Sequence, residues 1–334
     1  MMIDWPSRLN LAQLPTPVTR LEKYSAQLDG VNLWVKRDEL TGTEVSGNKI
    51  RKLEFTIAEA LNQSCDTLIT CGGLQSNHCR ATAILATRLG LKVHLILRGS
   101  EPDTLEGNLF LDYLTGATIT YLPQDQWRTH ETLAREIQQD YSKGGNKAYF
   151  IPIGASDEVG LWGYIAACQE LQEDFETLGF EPEYIVTATG SGGTQGGLIV
   201  GAELFKMSSQ VLAFNVCDDA AYFERKIRSD ITLWMQRYKQ EIAVGRLKIN
   251  TVEGYVGQGY GIASAEVLDT IADLARLDGI FLDPVYTGKA FHGMVSEIRR
   301  GEQGKLAGAE NVLFIHTGGL FGLFPQQQYF QFGK

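Results

Sequence analysis

Val45-Ser46-Gly47-Asn48-Lys49-Ile50-Arg51-Lys52-Leu53-Glu54-Phe55 begins as a small-residue turn and ends as an amphipathic helix whose apolar spacing runs to about Asn62. Lys49 falls on the boundary. The first N–H groups of a helix have no intrahelical acceptors and make its N-terminus positive, so a lysine is poorly placed there. The same field, with partial burial, depresses the ammonium pKa and yields the neutral amine that carbonyl chemistry needs. A Schiff base with an aldehyde cofactor is one of the few reactions served by such a site. Taken alone, Lys49 also reads as a surface residue of a polar turn. The rest of the chain must decide.

With 334 residues, 44% apolar and only 21% charged, the chain can bury a large core, in two domains. A net charge of −10 argues against nucleic acid or an anionic membrane as partner and fits a small-molecule enzyme of the cytoplasm. Five cysteines, Cys65, Cys71, Cys79, Cys168 and Cys217, show neither CxxC nor Cys/His spacing, so no disulfide framework or metal site is expected. No apolar run reaches membrane-spanning length, and residues 1–14 lack the apolar segment of a signal peptide.

Strand-like runs at 32–37, 67–71, 92–97, 118–122, 148–151, 184–188, 211–216 and 311–315 alternate with helical patterns. The helices are expected at 52–62, from 78 through 88, and at 104–114, 126–141, 161–178, 195–204, 222–240 and 264–277, with one more ending near 299. Alternation at these intervals signals parallel α/β architecture. Residues 282–286 read as a further short strand-like run ending at Tyr286.

Several loops carry chemistry. Gly190-Ser191-Gly192-Gly193-Thr194 follows a buried strand and precedes a helix, which points backbone N–H groups and a helix dipole at one spot. It is neither GxGxxG nor GxxxxGK[ST], so it reads as a phosphate cradle of another type, or as a tight strand–helix turn. Gly72-Gly73-Leu74-Gln75-Ser76-Asn77-His78 has the same setting. Ser76 and Asn77 can hold a substrate carboxylate at the helix N-terminus or simply cap it, and His78 is an acid–base candidate or a packed loop residue. Tyr286, Tyr260 and the His316-Thr317-Gly318-Gly319 turn complete the set, each ambiguous in isolation.

Together, Ser46-Gly47-Asn48-Lys49-Ile50-Arg51-Lys52-Leu53-Glu54, Gly72 to His78, Gly190 to Thr194 and Asp283 to Lys289 resemble the motifs of the 1-aminocyclopropane-1-carboxylate (ACC) deaminase/D-cysteine desulfhydrase family. These are pyridoxal-phosphate (PLP) enzymes of fold type II, the tryptophan-synthase-β type, and the similarity runs in order along almost the whole chain. The resemblance implies two open, twisted, mostly parallel sheet domains. The larger is discontinuous, 1–49 plus 161–334, the smaller is 50–160, and the cofactor lies between them. It implies that Lys49 carries PLP and moves the Cα proton, and that Asn77 hydrogen-bonds the cofactor's 3′ oxygen. Ser76, with Asn77 and His78 beside it, corresponds to the substrate site. Gly190, Ser191, Gly192, Gly193 and Thr194 form the phosphate cup, aided by Lys52. Tyr286 stands beside the pyridine ring, and Tyr260 is a second active-site tyrosine. A homodimer is the family expectation.

One departure bears on the reaction. ACC deaminases of this family carry Glu after the tyrosine of the VY motif and Leu after the histidine of HxGG, where this chain has Thr287 and Thr317. A carboxylate beside the pyridine nitrogen keeps it protonated and strengthens the electron sink that opens a cyclopropane; a threonine hydroxyl cannot hold that charge. A weaker sink still serves when thiolate departs from Cβ. The two threonines therefore point to β-elimination of D-cysteine, giving pyruvate, hydrogen sulfide and ammonia. ACC deaminase, L-cysteate sulfo-lyase and D-serine-type ammonia-lyase are the rival activities, and a PLP reservoir or sensor the non-enzymatic one.

Overall fold

The computed structural model describes residues 3–331. In chain order, β1 (Val18–Arg20), a single helical turn α1 (Glu22–Ser25) and β2 (Asn32–Lys36) lead to α2 (Lys49–Asn62). Then come β3 (Thr67–Gly73), α3 (Asn77–Arg88), β4 (Lys92–Arg98), α4 (Gly107–Leu114), β5 (Thr118–Leu122), α5 (His130–Lys143) and β6 (Ala148–Ile151). After α6 (Trp162–Leu178) follow β7 (Tyr184–Thr189), α7 (Gly193–Phe205), β8 (Gln210–Asn215), α8 (Ala220–Tyr238) and β9 (Asn250–Val252). The chain closes with α9 (Ala265–Asp278), α10 (Thr287–Arg299) and β10 (Asn311–Ile315).

The strands form two sheets. One has the order β1-β2-β10-β7-β8-β9 and is parallel apart from the antiparallel β1–β2 pair; the other, β5-β4-β3-β6, is wholly parallel. The smaller sheet is made of chain that interrupts the larger. Period-two alternation feeds the core on both faces of each sheet. In β7, Val186 and Ala188 pack on one side and Ile185 on the other. In β3, Leu68 packs beneath α2 and α3, whereas Ile69 and Cys71 face the α5 side.

Helix α2 joins the two halves. Its Ile50, Leu53 and Ile57 belong to the small-sheet core, and Phe55 packs with Trp162 of α6. The two helices approach so closely that a Cβ on Gly163 would lie 2.6 Å from the Lys52 amide nitrogen. A buried ionic cluster pins the first turn of α2: Arg51 donates to both carboxylate oxygens of Asp38 (2.7 and 2.9 Å) and to Glu170 (2.9 and 3.0 Å).

Three local expectations are corrected. The stretch 282–286 is not a strand; the Asp283 carboxylate captures the N–H groups of Val285, Tyr286 and Thr287 and folds the segment into the entry turn of α10. Residues 124–129 form a 3-10 turn before α5 starts at His130. The edge strand β9 was not expected, since three residues carry no readable alternation. Among the described residues no helix is long and apolar enough to cross a membrane, and no group of His, Cys, Asp and Glu is arranged to hold a metal.

Candidate active site

The C-terminal ends of β3, β4, β7, β8 and β10 open onto one cavity of about 660 Å³ between the sheets, the position where parallel α/β folds bind ligands. Lys49 enters it from the first position of α2. The turn before it is set by contact with the β10 loop: Asn48 N–H donates to the carbonyl of Thr317 (3.1 Å). Gly47, at φ +111°, passes so near that a Cβ would come within 2.5 Å of that same oxygen. Only glycine fits there.

The Lys49 Nζ donates to Asn48 Oδ1 (3.0 Å), and Asn48 Nδ2 donates to Thr194 Oγ1 (2.9 Å). One amide thus orients the lysine and links it to the glycine-rich loop. Burial drives the Lys49 amine down to about 8; the Asp283 carboxylate opposes this and Arg80 adds to it. An amine so placed is a nucleophile and base near neutral pH. The Nζ stands 6.0 Å from the ring centre of Tyr286, whose hydroxyl shares a short hydrogen bond with that of Tyr260. Burial raises the pKa of both phenols, so the pair stays protonated.

Ser76 caps α3, its Oγ accepting from the Cys79 N–H (3.1 Å), which leaves its own O–H free to donate. Asn77 accepts through Oδ1 from Asn108 (3.0 Å), which leaves its NH₂ toward the cavity it lines. His78 is buried; Nε2 pairs with Thr70 Oγ1 (2.8 Å) and Nδ1 has no hydrogen-bond partner among the described residues. Burial, with Lys49 and Lys52 nearby, holds His78 well below its ordinary pKa, so it is a neutral ring.

On the opposite wall, Gly190, Ser191, Gly192 and Thr194 line the cavity at the N-terminus of α7. Ser191 Oγ pairs with Ser156 Oγ (2.8 Å), which also accepts from Gly193 N–H (3.2 Å) and Lys52 Nζ (3.3 Å). Lys52 and Gly193 therefore sit behind the cup and not on its surface. Thr189 presents at the same edge a buried hydroxyl without a partner among the described residues.

Thr317 lines the cavity and Thr287 does not. The Thr287 side chain turns inward, where its hydroxyl donates to Asp283 Oδ1 (2.7 Å) and accepts from the Asp283 N–H (2.8 Å). The expected cofactor contact of Thr287 is corrected accordingly: it braces Asp283. Asn48, Ser156, Thr189 and Arg98 belong to the wall yet were given no role from sequence. Asn48 and Thr189 carry a signal, adjacency to Lys49 and to Gly190; Ser156 and Arg98 are defined by residues far away in the chain.

Residues 9–318 match the family model described as pyridoxal-phosphate dependent enzyme. The chain belongs to this family. It is 40% identical over 329 residues to the mitochondrial bifunctional D-cysteine desulfhydrase/1-aminocyclopropane-1-carboxylate deaminase of Arabidopsis thaliana, covering 95% of this chain and 79% of that protein. It is 41% identical to a putative 1-aminocyclopropane-1-carboxylate deaminase of Thermotoga maritima, over 96% and 99% of the two chains. The crystal structure of an ACC deaminase homologue superposes with a TM-score of 0.88 at 34% identity, covering 97% of this chain and 95% of that one. A fungal L-serine ammonia-lyase from Rhizomucor miehei, at 16% identity and a TM-score of 0.67 over 96% of this chain and 99% of that one, shares the fold. This family member is thus a PLP-dependent lyase with the type II fold.

Proposed function

We propose that the chain converts D-cysteine and water to pyruvate, hydrogen sulfide and ammonia, with Lys49 as the residue that carries PLP. The observation that supports this best is the half-buried Lys49 amine, held at about 8 and aimed by Asn48 into the cavity. The walls fit the cofactor. The unpartnered Thr189 hydroxyl, the free NH₂ of Asn77 and the α7 N-terminus offer donors to an anionic, oxygen-rich ligand, and Tyr286 offers a ring face. Ser191, Gly192 and Thr194 would hold the phosphate, with Gly193 and Lys52 supporting the cup from behind. Asn77 would meet the 3′ oxygen, and Thr317 stands on the same wall.

Bound there, PLP supplies the electron sink that makes a Cα–H bond acidic. Lys49 would take the Cα proton with its neutral Nζ. Ser76 Oγ–H and the first N–H groups of α3 hold the substrate carboxylate. The protonated Tyr260–Tyr286 pair delivers a proton to the departing sulfur and is in place to recover one. His78, kept neutral, shapes the pocket beside Asn77.

The preference for elimination over ring opening rests on Thr317, a neutral hydroxyl on the wall. Deamination of ACC is the second reading, favoured by the names of the relatives. Sulfide and pyruvate release from D-cysteine, with L-cysteine alongside, separates them. Equal amounts of both products from the D isomer are expected. Consumption of ACC with no sulfide from either isomer would overturn the proposal.

A further inference from the structure

Arg98, the last residue of β4, lies in register with Gly73 of β3 and lines the same cavity as Lys49, next to Tyr260. Its guanidinium carbon is 5.2 Å from the ring centre of Tyr260 and 5.5 Å from that of Trp127, so the cation is held against two aromatic rings. Half-buried, it makes no hydrogen bond or ion pair among the described residues. The other cations of this wall differ. Lys49 is bonded to Asn48, Lys226 is bonded to Asp230 and the Ser156 carbonyl, and Arg128 is exposed. The acidic residues of the rim, Glu131 and Asp218, are exposed to solvent.

A guanidinium held against rings but bonded to no acceptor among the described residues keeps its N–H groups available, and they match a carboxylate or sulfonate in two-pronged geometry. Ser76 and the α3 N-terminus already provide for the α-carboxylate. We infer that Arg98 is a second anion receptor, which makes amino acids with an acidic group at the end of the side chain ligands of this site. The inference rests on the reading of Lys49 and Ser76 given above and names a specificity determinant within that site.

The test uses the PLP-loaded protein and both enantiomers of aspartate, asparagine, glutamate and glutamine. Each is titrated through the change in visible absorbance of the bound cofactor, with D-cysteine as reference. At least one acid should bind about 10-fold more tightly than its amide, the value of one charge-assisted hydrogen-bonded pair. Arg98→Gln should bring that ratio to near one while leaving the amide's affinity within about two-fold, and Arg98→Lys should restore part of it. A ratio near one in the unaltered protein overturns the inference, and this measurement needs no variant to fold. Equal weakening of acid and amide by Arg98→Gln overturns it too, since a merely structural wall behaves that way. A spectrum that responds to no amino acid, D-cysteine included, overturns the reading of Lys49 along with it.

Discussion

Lys289 of α10 donates its Nζ to the carbonyl of Gly259 at 2.7 Å. A second bond of 2.7 Å runs to the carbonyl of Val256, so one buried ammonium clamps the loop that carries Tyr260 onto the helix that begins beside Tyr286. The clamp acts on the glycine-rich half of the loop. Gly254, Gly257, Gly259 and Gly261 all adopt positive φ and have open space around them, whereas Tyr255 is anchored separately, its ring on Phe214 and its hydroxyl donating to Glu297.

Lys289→Met keeps the apolar stem and removes both bonds. Tyr260 then loses its fixed position against Tyr286, and the apparent KM for substrate should rise about 10-fold, the worth of one or two charged hydrogen bonds. Amide exchange should accelerate within 253–261 and not in the β10 core. Unchanged protection in that loop would show that other contacts place it.

The pH dependence of cofactor uptake follows from Lys49. An amine attacks an aldehyde only when unprotonated, and burial holds this one at about 8 against the usual 10.5. PLP uptake by the apoprotein should quicken as pH rises to about 8 and level off above it. Stability obeys the same linkage. Between 8 and 10.5 the unfolded chain binds the proton and the folded apoprotein does not, so the cost of burying this amine is full below 8 and fades toward 10.5. Lys49→Ala should abolish the visible absorbance of bound PLP and flatten that rise in stability; equilibrium urea unfolding at several pH values reads it directly.

Asn48 joins Lys49 to Thr194 through one amide. Asn48→Ala should lower kcat about 10-fold through a misplaced Nζ, with a smaller effect on PLP affinity, because the cup residues stay in place. Asn48→Asp tests the orientation further. It keeps the acceptor for Lys49, loses the donor to Thr194, and should move the pH profile upward by placing a negative charge beside the amine. A profile that does not move would separate Asn48 from the lysine.

Much of this arrangement was legible in the sequence, for reasons that differ by element. Buried runs such as Thr67–Gly73 and Tyr184–Thr189 declare themselves as strands because both faces are packed. Lys49, Ser76, Asn77 and the glycine-rich loop were readable because each falls at the start of a helix. The stretch 282–286 misled because β-branched and aromatic residues there look like a strand, while the Asp283 carboxylate captures the backbone instead. Ser156 and Arg98 gave no local sign. The hydroxyl of Ser156 bonds Ser191, 35 residues on, and Arg98 meets Tyr260 from another sheet, so only the assembled fold exposes either role.

Gly163→Ala probes the joint between the two halves. A methyl there would lie 2.6 Å from the Lys52 nitrogen and 2.7 Å from the Arg51 carbonyl oxygen, both backbone atoms that cannot swing aside. Moving α6 off α2 should cost about 1–3 kcal/mol. It should also disturb the first turn of α2, so PLP affinity should fall together with the urea midpoint. A destabilised protein with undiminished PLP affinity would show that the ionic cluster around Arg51 alone fixes Lys49.

Thr287→Glu carries the acidic pattern of the family's ACC deaminases into a place where this chain has no room for it. Thr287 is fully buried, and its hydroxyl both donates to and accepts from Asp283. Asp283 is itself buried and its pKa is already raised by desolvation, against the N–H groups and hydroxyl that lower it. A second carboxyl at this point loses the hydroxyl bonds and sets two acids side by side, so one must take up a proton or leave the interior. The single variant should lose about 3 kcal/mol in urea unfolding, the scale of an uncompensated buried charge, whereas Thr287→Ser should be near neutral. Adding Thr317→Leu removes the wall hydroxyl, and the double variant should lose thiol elimination from D-cysteine. If Thr287→Glu is instead as stable as the parent, its carboxylate has found a cavity position that the threonine does not occupy. Unchanged D-cysteine turnover in the double variant would then mean that the charge beside the pyridine nitrogen does not select the reaction, and the preference would have to be sought at Tyr260 and Tyr286.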